Sequence, residues 1–275
     1  MVLLHHPGTD DPRMRPPLLP WCVRSHAHVG ERSATLDQNT SIKEIEDLSQ
    51  NVATGSTLAP VASDTATSAR TSALLICGVV AGPLFIVVGL AQAFTRPGFD
   101  LRRHVISMLS LGDLGWIQVA NFELTGLLAV GFAIGLWRTL HPGRAGTWGP
   151  LLIGAYGIGM ASAGIFHPDP ALGFPPGAPA GQPTTFTSHA ILHNVAFFLA
   201  FIGLIAACFV FMRRFAGLGQ HGWAIYCAAT GLAAPALIGI ASTGLVGVGV
   251  VLVLTGVVTS GWIAVTALRL LSEQD

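Results

Sequence analysis

From Gly222 to Leu270 the chain carries a single charged residue, Arg269. No other feature restricts the fold as tightly. As one helix this run would extend roughly 70 Å at 1.5 Å per residue, against a bilayer core of about 30 Å. It therefore reads as two membrane spans joined by a hairpin at Ser242-Thr243-Gly244. A soluble amphipathic helix would show a charged face on every turn, and this run shows none.

A span needs about 20 mostly apolar residues. That criterion predicts spans at 72–94, 119–137, 148–166, 189–211, 222–241 and 245–270. Composition agrees: 10% of the 275 residues are charged and 51% are hydrophobic, where a soluble domain carries about 25% charged residues. The expected fold class is all-α, a polytopic membrane helical bundle of about six transmembrane helices, with the lipid bilayer as its partner. Formal net charge is zero, which argues against a nucleic-acid partner. Cys22, Cys77, Cys208 and Cys227 are not spaced as metal ligands or as a disulfide framework, and read as small structural thiols.

Residues 1–70 differ from the rest. They are rich in Pro, Asp, Ser, Thr and Gln and poor in aromatics, so they bury too little apolar surface to offset chain entropy. A disordered cytoplasmic tail is expected there, with a gene start placed too far upstream as an equal alternative. Within it, Ile42, Ile45 and Leu48 recur at helical spacing and predict a weak amphipathic helix over 41–50. Residues 271–275 are the expected cytoplasmic C-terminus. Arginine placement sets the orientation. Arg70, Arg138, Arg144, Arg213, Arg214 and Arg269 fall on one side, and Arg96, Arg102 and Arg103 on the other. The bias predicts a plasma-membrane protein with both termini in the cytoplasm, and 95–118 and 167–188 as outer loops.

Polar chemistry concentrates at these loops. In the first, Leu101, Val105, Met108 and Leu109 fall at helical spacing and predict a short interfacial helix, with Trp116 as an interfacial anchor. Glu123 lies about one turn inside the second span, where an ionisable side chain is a functional candidate or an interfacial group that reaches water. His189 and His193, at i and i+4, share a helix face. That spacing can chelate a divalent metal such as zinc, with His167, Asp169 or a first-loop carboxylate completing the set; two histidines at a membrane boundary can equally be ordinary hydrogen-bonded groups. A histidine beside a carboxylate also suits acid–base chemistry. The candidate catalytic set is His189, His193, Asp169 and Glu123. The candidate lipid- or substrate-binding set is Asp100, Arg102, Arg103, His104, Asp113 and His167, in which guanidinium groups would hold a phosphate.

Three segments, RPGFDLRRHVISMLSLGDLGWIQVANFELTGLL (96–128), GIFHPDPALGFPPG (164–177) and SHAILHN (188–194), resemble in order and spacing the signature of the family called domain of unknown function 998. The resemblance covers about residues 72–270. It implies a six-span bacterial or archaeal membrane protein and carries over no catalytic residues. Three functions stay open: an enzyme acting on a lipid or envelope precursor, a small-solute or proton-coupled transporter component, and a non-catalytic envelope assembly protein held together by pairs such as Arg102 or Arg103 with Asp169.

Overall fold

The structure, a computed structural model, describes residues 43, 45–50, 58–244 and 246–274. The chain forms two units, 1–57 and 58–275. In the first, residues 45–50 are helical and Ile45 and Leu48 are exposed. Most of the tail expected to be disordered lies outside the described residues.

The second unit contains six long helices: α1 (Leu58–Thr95), α2 (Gly115–Leu140), α3 (Arg144–Ile165), α4 (Ser188–Gly217), α5 (His221–Ser242) and α6 (Val248–Leu271). Each contains a stretch long and apolar enough to cross a membrane, and among the described residues there is no strand. Helices suit such a sequence because lipid offers no hydrogen-bond partner to the backbone, so each segment must pair its own N–H and C=O groups. The membrane-crossing stretch of α1 lies within Thr67–Thr95.

Consecutive helices pack side by side, and α1 packs on α6. Small residues set the closest approaches. A Cβ on Gly126 of α2 would lie 2.6 Å from the Gly157 carbonyl oxygen of α3, and one on Gly157 would lie 2.8 Å from the Gly126 oxygen. Such backbone-to-backbone contact favours association where lipid removes the hydrophobic drive. Larger side chains fill the interior: Phe132, Phe211, Phe215 and Trp262 are buried. The Trp262 indole N–H donates to Cys227 Sγ at 3.3 Å, joining α6 to α5.

Candidate functional site

Two long loops, 96–114 and 166–187, meet at one end of the bundle. The short helix expected in the first is a 3-10 turn, Ile106–Ser110, with Ile106, Met108, Leu109 and Ser110 buried. Its apolar residues pack with Ala93, Ala171 and Phe174, so they face protein. Arg96 holds this turn: its guanidinium donates to the Leu109 and Leu111 carbonyl oxygens and lies 5.2 Å over the Phe174 ring. Burial pulls the Arg96 pKa below its ordinary value, and nearby Asp113 opposes that shift.

His104 binds the two loops together. Its Nδ1 accepts from the Asp100 backbone N–H at 2.9 Å, which leaves Nε2 as the donor to Leu172 O at 3.2 Å. The ring is buried and lies against Phe99 and Phe174. The turn also rests on α6: Gly249 sits directly beneath the His104 carbonyl oxygen, where no Cβ would fit. Asp100 Oδ1 accepts from the Arg102 backbone N–H. Asp113 is exposed. Arg102 and Arg103 are exposed and line a cleft of about 450 Å3 with Leu172 and the first residues of α6. Among the described residues, neither forms an ion pair with Asp169.

Asp169 is engaged elsewhere. Its carboxylate accepts the Thr187 backbone N–H at 3.0 Å and the Thr187 hydroxyl at 2.6 Å. Thr187 in turn caps α4 by accepting from Ala190 N. His167 and His189 stack with ring centroids 6.3 Å apart, and His189 is exposed. His193, one turn further on, is buried, with its Nδ1 2.8 Å from Phe166 O and 3.2 Å from Ala163 O. Glu123 is half-buried and packs on Gly164, where a Cβ would lie 2.7 Å from its Oε1. Eight of the ten candidates thus separate into a histidine group (His167, His189 and His193), loop-holding contacts (Asp100, His104 and Asp169) and a cleft (Arg102 and Arg103), while Glu123 packs on Gly164 and Asp113 is exposed. Among the described residues no group of three or more His, Cys, Asp or Glu could hold a metal ion, so His189 and His193 lack the further donors that a closed zinc site needs.

The larger opportunity lies inside the bundle. Five helices and the 3-10 turn line a partly open cavity of about 100 Å3. Its walls include Phe85 and Ile86 of α1, Phe122 of α2, Tyr156 and Met160 of α3, Phe197 and Phe201 of α4, and Val253 and Gly256 of α6. α5 contributes nothing to the wall. The lining runs along α4 from His193 to Phe201 and along α6 from Leu252 to Ser260. Either stretch corresponds to about 12 Å at the helical rise, so the cavity is a narrow slot. Ser107 and His193 are among its polar lining groups, and Glu123 is not in the wall.

Of these features, hydropathy pointed to the helices and residue type pointed to His193, but the slot and the latch went unforeseen. Arg96 counted only as a charge for orientation. Nor did the sequence single out the amide cluster between α1 and α2, in which Gln92 Nε2 donates to Gln118 Oε1 at 2.8 Å and Asn121 Nδ2 donates to Phe85 O at 3.1 Å. Polar amides within the first two spans were the available signal, since such groups join helices in lipid.

A ring of apolar helices around an interior slot defines a multi-pass membrane protein with an interhelical cavity. The family model described as protein of unknown function (DUF998) matches residues 79–269, and the chain belongs to that family. Neither the curated proteins nor the solved structures contain a match.

Proposed function

We propose that this protein binds the apolar part of a lipid or lipid-linked envelope precursor in the slot between α3, α4 and α6. The supporting observation is the slot itself, an apolar cavity of about 100 Å3 within a membrane bundle. Apolar cavities of comparable size stay dry and take up apolar guests; one of about 150 Å3 binds benzene. A slot of this length and width suits a chain segment better than a compact polar solute. The loops around it fit the same reading. Arg102 and Arg103 lie in a cleft beside α6, and guanidinium groups pair well with phosphate. Orientation follows arginine placement, with both termini cytoplasmic and the long loops outside. On this reading the bound molecule comes from the outer leaflet of the plasma membrane.

The test is lipid retention. Protein purified from its native membranes should carry a chain-bearing lipid above its bulk abundance, detected by mass spectrometry of the extracted complex. Gly256→Leu should abolish the enrichment, because Gly256 lines the slot and a Cβ there meets only the flexible end of Ile86, at 3.1 Å. Equal lipid content in both proteins, matching the bulk membrane, would overturn the reading.

A further inference from the structure

We infer that the slot selects a long-chain lipid bearing a neutral hydroxyl, whose O–H donates to Nε2 of His193. This rests on the lipid-binding reading above and adds the chemistry of the group that is recognised. The argument begins with the ring's other nitrogen. Nδ1 lies within hydrogen-bond distance of two carbonyl oxygens, those of Phe166 and Ala163. A carbonyl oxygen can only accept, so Nδ1 carries the proton. Both carbonyls belong to the C-terminal end of α3, where the last turn leaves oxygens without intrahelical donors. His193 closes that end, and the closure fixes the tautomer.

Nε2 is then the acceptor of the neutral ring. It makes no hydrogen bond to any described residue, although His193 is only 6% exposed and lines the slot. The walls hold no carboxylate to balance an imidazolium. An unpaired charge in such surroundings is costly, so the neutral acceptor form is the one the slot accommodates. An unpaired acceptor on a residue that lines a largely apolar slot discriminates by donor: a guest that brings an O–H satisfies it, and an isosteric guest without one leaves it unpaired. Phe122 sets its ring edge-on to the imidazole at 6.2 Å and helps hold the ring in place.

The experiment uses the full chain in lipid nanodiscs and three photoactivatable probes with identical diazirine chains: a long-chain primary alcohol, its methyl ether and the corresponding fatty acid. The alcohol should label slot peptides of α4 and α6 about tenfold more than the ether, the discrimination expected of one buried hydrogen bond. In His193→Leu the two should label alike, and Gly256→Leu should lower both. The wild-type ratio of alcohol to ether requires no variant, so it decides the matter even if His193→Leu fails to fold. Equal labelling of the slot by alcohol and ether would overturn the hydroxyl inference and leave the lipid-binding reading standing. Preference for the fatty acid would overturn it in favour of a charged ring. Absence of slot labelling by any probe would remove both.

Discussion

At the residue scale the chain spends its charged and polar side chains on backbone. Arg96, His104 and His193 each bind main-chain groups distant in sequence: the Leu109 and Leu111 carbonyls, the Leu172 carbonyl, and the Ala163 and Phe166 carbonyls. Arg96 bears the greatest load, because it satisfies two carbonyls of the buried 3-10 turn and packs over Phe174 at once. Hydrogen bonds to a charged group contribute about 1.5–3 kcal/mol each when broken. Arg96→Ala should therefore cost about 3 kcal/mol, the low end for two such bonds at a half-buried side chain, seen as a lower unfolding midpoint in detergent. Arg96→Lys should recover only part, since an ammonium cannot reproduce the planar fork. An unchanged midpoint in Arg96→Ala would refute this role. These contacts explain why candidate chemistry was only partly legible. A sequence marks His104 and Asp169 as chemically capable, but a backbone acceptor has no residue identity and cannot be matched to its donor along the chain. His104 and Asp169 carry loop closure here, through Leu172 and Thr187.

At the element scale the six helices were legible because apolar length is a bulk property of a segment and survives any detail of packing. Helical spacing also pointed to a short element in the first loop; what it could not supply was that this element is a 3-10 turn buried by tertiary contact with Phe174 and α6. Glycine offers the sharpest test of how neighbouring elements meet. Gly126 and Gly154 look alike in sequence, each inside an apolar span. A Cβ on Gly126 would strike the Gly157 oxygen and the Ala161 nitrogen, at 2.6 and 2.8 Å, whereas on Gly154 it would find only Ala133 Cβ at 3.9 Å. Gly126→Ala should push α2 and α3 apart and cost about 2 kcal/mol. Gly154→Ala should be neutral or stabilising by up to about 1 kcal/mol, because alanine loses less backbone freedom in a helix. Thermal unfolding of the matched pair reads the difference directly, and equal midpoints would mean that the α2–α3 approach is looser than these distances.

At the scale of the whole molecule, the six helices leave one end of the bundle far more elaborate than the other. The long loops, the Arg96 and His104 latches, the stacked His167–His189 pair and the arginine cleft all gather there, and His193 sits one turn inside it. The opposite end carries the short connections 141–143 and 218–220 and the Arg269–Glu273 pair at 3.0 Å. Function in a membrane protein depends on which compartment such an end faces. The orientation proposed above rests on Arg138, Arg144, Arg213, Arg214 and Arg269, which crowd the short-loop end, because positive charge favours the cytoplasmic side. The elaborate end would then meet the outer leaflet, the source of lipid on the reading proposed above. This can be checked with Cys22, Cys77, Cys208 and Cys227 replaced by Ser. In that background Ala180→Cys, exposed in the long loop, should react with a membrane-impermeant maleimide in intact cells. Ala216→Cys, exposed at the short-loop end, should react only after permeabilisation. The reverse pattern would place slot and cleft on the cytoplasmic side, and the source of the bound lipid would have to be sought in the inner leaflet.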